Sequence, residues 1–206
     1  MSTFLYALGR WSYRHPWRVL VAWLLLLACG SVQAEFGDCL FIDDFEYPGT
    51  DVAEARDAVQ VHNCARRTVT PAPSTPLVPL TWSNAIATVA QSYADGCHYA
   101  HSGNAGYGEN IYAGAGFTPT MSKATTEWIS EEPSYVYATN TCVEPPPPVG
   151  SGTCGHYKQV VWDITTQVGC AKTFCTQNTP FGPTFPNWYL IVCNYLPPGN
   201  DGGRPY

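Results

Sequence analysis

Gly155-His156-Tyr157-Lys158-Gln159-Val160-Val161-Trp162 and Leu190-Ile191-Val192-Cys193-Asn194-Tyr195-Leu196-Pro197-Pro198-Gly199-Asn200 are the runs from which the fold is read. Tyr157 to Trp162, Val168 to Thr173 and Trp188 to Tyr195 are β-branched and aromatic and are separated by Gly and Pro clusters, so they are expected to be strands. Upstream, Asp51 to Arg67 places Ala53, Val59, Val61 and other apolar residues between charges, which predicts an amphipathic helix capped by Thr50 or Asp51. The prolines between Pro71 and Pro79 turn the chain into an extended connector. A second helix is expected from a cap at Thr81 or Ser83 through Tyr93 toward Cys97, and a third over Pro119 to Glu132, stopped by Pro133. Ser102 to Gly116 is rich in glycine and reads as an irregular loop wrapped around a site. Helices first and strands later make an α+β domain whose helices cover a small sheet.

The first thirty-four residues read differently. Arg10, Arg14 and Arg18 precede an apolar stretch from Val19 to Ala28 that is short for a membrane span, and Val32-Gln33-Ala34 suits signal-peptidase cleavage before Glu35. Residues 1–34 are therefore expected to be a signal peptide and 35–50 an N-terminal extension, with one domain over 51–206. Of the ten Lys and Arg residues three lie in that leader, and none of the sixteen Asp and Glu do, so its removal takes the net charge from −6 to −9. Such an acidic chain is a poor partner for nucleic acid. Cys29 leaves with the leader, and an even set of cysteines in an exported chain points to disulfides. A structural zinc cluster is disfavoured, because no pair has Cys-x-x-Cys spacing.

The two opening runs, together with His62-Asn63-Cys64-Ala65-Arg66 and Gly108-Glu109-Asn110-Ile111, resemble the four signature stretches of the CAP superfamily. Trp128 to Asn140 followed by Cys142, and the ending Arg204-Pro205-Tyr206, are closest to the plant pathogenesis-related class-1 branch. The resemblance implies a three-layer α-β-α sandwich with a central antiparallel sheet, stabilised by disulfides. It also implies the pairs Cys97–Cys175, Cys142–Cys154 and Cys170–Cys193, which leaves Cys39 with Cys64. The extension carrying Cys39, the insertion at 144–152 and the long run Thr176 to Asn187 depart from the family pattern and put inherited ligand specificity in doubt.

By the same resemblance, His101, Glu109, Glu131 and His156 form a cavity able to hold a divalent cation, zinc above others, since imidazole and carboxylate are its usual partners. Without the family, their separations match no self-sufficient metal motif, and buried His–Glu pairs can hold loops together with no ion present. His98 is expected to be a surface or packing residue, and the register after Trp128 favours Glu131 over Glu127. His62 and Arg66 are helical neighbours expected to tie their helix to the sheet. Ser102 beside His101 makes a poor nucleophile, and no Gly-x-Ser-x-Gly elbow exists, so the reading leans away from an enzyme.

What remains is a secreted, extracellular (in a bacterium, periplasmic) monomer of defence or host-interaction type. The resemblance implies that its partner is a sterol, lipid or other apolar ligand, with contact at a membrane surface among the options and Tyr107, Tyr112 and Phe117 as lining candidates. The alternatives are a metal-dependent hydrolase built on the same four residues, and release of Pro197 to Tyr206 as a signalling peptide from an exposed tail.

Overall fold

The computed structural model describes residues 52–144 and 153–206. The expected leader, the 35–50 extension with Cys39 and the run Pro145 to Pro148 lie outside the described residues.

Helix α1 covers Val52–Thr68, with Glu54 in its first turn and Arg66 and Arg67 in its last, as the helix dipole favours. Strand β1, Thr81–Trp82, leads into α2, Asn84–Ala94, whose N-cap Ser83 accepts the Ile86 amide. Strand β2 is Gly108–Gly114, and α3 is Met121–Ile129, capped by Thr120 accepting the Lys123 amide. The α-helix ends at Ile129, short of the expected Glu132, and a 3-10 turn at Glu132–Ser134 takes in Pro133. Strands β3 (Tyr135–Val136) and β4 (Thr141–Cys142) form a small ladder. Helix α4 is Gly155–Val160, and the long strands β5 (Gln167–Cys175) and β6 (Trp188–Leu196) close the order.

The main sheet runs β1-β5-β6-β2. Its three long strands are antiparallel, while two-residue β1 joins β5 in parallel. Side-chain alternation sends Ile191, Cys193 and Tyr195 to one face, where they pack with Val59, Trp128, Tyr157 and Val160 from α1, α3 and α4. It sends Leu190, Val192 and Trp188 to the other, against Ala90 and Ala94 of α2. This is the α-β-α sandwich with its sheet in the middle. Gly169 is what lets α2 lie on β5: a Cβ there would stand 2.2 Å from the Ala87 amide nitrogen.

Two expectations are corrected. Tyr157 to Trp162 is not a strand. Tyr157, Val160 and Val161 follow helical i, i+3, i+4 spacing into one core, and the Glu131 carboxylate accepts the amides of His156 and Tyr157 at the start of α4. Capping and packing thus override β-branched propensity. Nor is Ser102 to Gly116 irregular throughout, because its second half is β2, paired with β6 from Gly108↔Tyr195 to Gly114↔Tyr189. Gly108 serves close approach: a Cβ there would meet Gln159 Oε1 at 2.1 Å.

Cys97–Cys175, Cys142–Cys154 and Cys170–Cys193 are bonded as expected. Cys64 is oxidised as well, and its expected partner Cys39 lies outside the described residues. The C-terminal stretch is fastened rather than free. The Asp163 amide donates to Pro205 O at 2.6 Å, Tyr137 Oη to Tyr206 O at 2.6 Å, and Asn200 Nδ2 to Gly155 O at 2.8 Å.

Candidate functional site

Four segments bring the expected residues together. Cys97, tied to β5 by its disulfide, starts the loop that carries His101, and Tyr93 Oη donates to Ala100 O to hold that loop down. Glu109 is the second residue of β2, Glu131 follows α3, and His156 is in the first turn of α4. His101 Nδ1 donates to Glu109 Oε1 at 2.9 Å, and His156 Nδ1 donates to Glu131 Oε1 at 2.7 Å. The two imidazoles stand with ring centroids 6.5 Å apart, and His156 stacks on Trp128.

Each carboxylate also holds backbone. Glu109 Oε1 accepts the Ser102 amide at 2.8 Å. Glu131 accepts the amides of His156 and Tyr157 and the Thr153 hydroxyl. Burial opposes ionisation of Glu131, but His156, Thr153 and the Tyr157 amide together outweigh it and hold its carboxyl below the usual range.

The consequence for the histidines is a fixed tautomer. With Nδ1–H given to a carboxylate, Nε2 keeps its lone pair, as in carboxylate–histidine–metal arrangements. Neither Nε2 makes a hydrogen bond among the described residues. Glu109 Oε2 is buried with no donor, and so is Oδ1 of Asn194, its cross-strand partner on the same sheet face. Two free imidazole nitrogens and an unsatisfied carboxylate oxygen suit a cation in kind. Among the described residues, no group of three or more His, Cys, Asp or Glu side chains is placed to hold a metal ion.

Beneath the site runs a buried network. His62 Nδ1–H donates to Ala58 O at 2.7 Å, which leaves Nε2 to accept the Tyr195 hydroxyl at 2.8 Å. Asn110 Nδ2 donates both to Tyr195 Oη and to the His156 carbonyl, so α1, β6, β2 and α4 are joined through one chain of bonds. Burial pushes the His62 imidazole down to about 4, the Ala58 carbonyl opposing this and the Arg66 charge adding to it. Arg66 donates to the carbonyls of Val78, Val160, Trp162, Asp163 and Thr165, and burial lowers it to about 10. His62 thus ties α1 to the sheet as expected, whereas Arg66 binds the segment that follows α4.

The other candidates separate cleanly. His98 is exposed, and Glu127 pairs with Lys123 on the outer side of α3. Ser102 Oγ accepts the Asn104 amide, while the His101 Nδ1 beside it is committed to Glu109. Thr153, Asn194 and the stacking of Trp128 were missed as parts of the site. Asn194 lay in a quoted run, one residue from a disulfide, and its alternation with Cys193 was the available signal. Of the lining candidates, Phe117 borders a cavity with Phe174, Phe185 and Tyr189, and Tyr107 and Tyr112 do not line it.

A disulfide-locked α-β-α sandwich with paired His–Glu side chains at the edge of its sheet defines the class. The chain belongs to the cysteine-rich secretory protein (CAP) family, whose description matches residues 59–195. It is 39% identical over 156 residues to a pathogenesis-related protein of PR-1 type from Sambucus nigra, spanning 73% of this chain and 81% of that one. The pathogenesis-related protein PRMS of Zea mays is 34% identical over 194 residues, 91% of this chain and 95% of the relative. Among solved structures, venom allergen-like protein 4 of Schistosoma mansoni superposes with a TM-score of 0.55 at 27% identity, covering 75% of this chain and 91% of that one.

Proposed function

We propose that the protein is exported and acts outside the cell as a binding protein of defence or host-interaction type, without turnover. It holds a divalent cation, zinc by its donor set, through Nε2 of His101 and of His156, and takes a sterol, lipid or other apolar molecule as partner. The observation that carries the cation reading is the matched pair of Nδ1–carboxylate bonds. Glu109 and Glu131 fix both tautomers with the free nitrogens on neighbouring rings. With the cation on Nε2, Glu109 and Glu131 on the Nδ1 side of each ring would raise the basicity of the imidazoles that hold it.

Calorimetric titration with zinc tests it. The wild type is expected to bind, and the double variant His101→Ala, His156→Ala to lose binding while its near-ultraviolet circular dichroism stays that of the folded protein. Equal affinity in the two proteins overturns the assignment. The hydrolase alternative predicts chelator-sensitive turnover from the wild type, which the binding reading does not.

A further inference from the structure

Among the described residues, three of the four exposed phenylalanines are gathered around one cavity, and the fourth, Phe181, is in the same loop as Phe185. Phe117, Phe174, Phe181 and Phe185 are 50%, 52%, 41% and 44% exposed. Phe174 and Tyr189 are cross-strand partners on β5 and β6, with ring centroids 5.0 Å apart, and Gly114 is the partner of Tyr189 on β2. Phe117 folds back beside Gly114, its Cζ within van der Waals contact, 3.4 Å, of where a Cβ would stand. Phe185 lies against Gly116 in the same way. Phe117, Phe174, Phe185 and Tyr189 line a shallow cavity of about 390 Å³.

The loop 176–187 that presents Phe181 and Phe185 is built to hold its shape. Thr179 Oγ1 donates to Phe185 O at 2.7 Å and accepts the Phe181 amide, and the Phe185 amide donates to Gly182 O. Trp188 Nε1 donates to Gln177 O, and Asn178 and Gly182 take the left-handed turns the loop requires. Residues 110–122 and 173–200 contain no Asp, Glu, Lys or Arg. A single exposed Phe is ordinary, but a rigid, charge-free cluster of them marks a contact surface.

We infer that this end of the sheet docks on a lipid bilayer with zwitterionic headgroups, Phe117, Phe181 and Phe185 entering the interface. A protein partner would call for a polar rim with roughly one hydrogen bond per 100–200 Å². The cavity wall here is mostly aromatic: Thr118 and Tyr189 share one hydroxyl–hydroxyl bond, Thr179 is bonded within the loop, and Thr184 and Asn187 are the other polar side chains lining or flanking it. Anionic lipid is the wrong match for a chain whose net charge is −6, and −9 without the expected leader, with no basic residue in these stretches. Aromatic rings, in contrast, sit well at the headgroup level and attract a choline cation. The inference deepens the apolar-partner half of the function proposed above and is independent of the cation.

The test uses protein recovered from the medium of a secreting host and phosphatidylcholine vesicles. Wild type is expected to sediment with the vesicles equally at low and high salt. Phe117→Ser and Phe185→Ser should each lower partition by roughly tenfold, since each removes one inserted ring. Photoactivatable phosphatidylcholine should label peptides holding Phe117 or residues 176–187. Equal partition of the double variant, or label confined to other peptides, overturns the inference. So does a concentration-dependent dimer that the double variant loses while neither protein binds vesicles, which assigns the face to a second copy. Zinc titration of the same variant should match wild type, so loss of the cation reading and loss of this one are told apart.

Discussion

At the Glu109↔Asn194 step of the β2–β6 ladder, the side chains around the sheet are polar and, apart from Glu109 Oε2 and Asn194 Oδ1, largely committed to bonds. His101, Glu109, Glu131 and His156 are paired, and His62, Asn110, Tyr195 and Arg66 lie bonded beneath or beside them. At the Gly114↔Tyr189 step, five residues and about 17 Å along the same strands, the surface is four phenylalanines and a tyrosine with no charge. The polar end is structural and chemical at once, because the groups that would hold a cation also close the helix and loops around it. The apolar end rests on a finished scaffold and contributes little to holding it. A side chain changed at the first end should therefore alter stability, and one changed at the second should alter contact alone.

The sharpest way to break that contrast is Arg66→Met. The guanidinium donates to five carbonyls, four of them between Val160 and Thr165, and Met fills the space without replacing a single donor. Leaving buried acceptors unsatisfied costs about 1–3 kcal/mol each. A loss of about 4 kcal/mol or more in denaturant unfolding is expected, allowing for waters that reach some of them. A loss below about 1 kcal/mol would mean that the polar end is not the keystone described here.

The second prediction concerns pH. His62 is neutral in the folded protein down to about pH 4 and would titrate near 6.5 when unfolded. Its folded value is depressed, so the unfolded state binds more protons between these limits. Its contribution is fully present above about 6.5 and is lost as pH falls toward 4, with a total on the order of 3 kcal/mol. His62→Gln removes the titration, so its unfolding free energy should fall less steeply over that window than that of wild type. Parallel slopes would place the proton uptake elsewhere.

How far each end was legible in the sequence follows from the same difference. β-branched and aromatic composition revealed β5 and β6, Ser83 stood where a cap was expected, and the four His and Glu positions came from the resemblance of short motifs. Helix α4 was not legible, because its cap, Glu131, lies far upstream and its own residues favour strands. The expected loop concealed β2 because Gly108 is dictated by Gln159, a neighbour in space and not in sequence. The aromatic surface was the least visible: Phe117 and Phe185 meet only after β2, β5 and β6 are in register, and no motif records that.

The smallest expected effect tests the other half of the contrast. Phe117 and Phe185 are about half exposed, their neighbours include Gly114 and Gly116, and neither belongs to the two buried cores. Surface substitutions away from caps, cores and networks usually stay within about 0.5 kcal/mol. Each of Phe117→Ser and Phe185→Ser should leave the unfolding free energy within about that range, and the pair within about 1 kcal/mol. The internal bonds of the loop support this, since Thr179 and Gly182 hold it through the backbone of Phe185, which serine retains. Denaturant unfolding of the pair that cost more than about 2 kcal/mol would show these rings to be part of the core, and the two ends of the sheet would no longer differ in the way described.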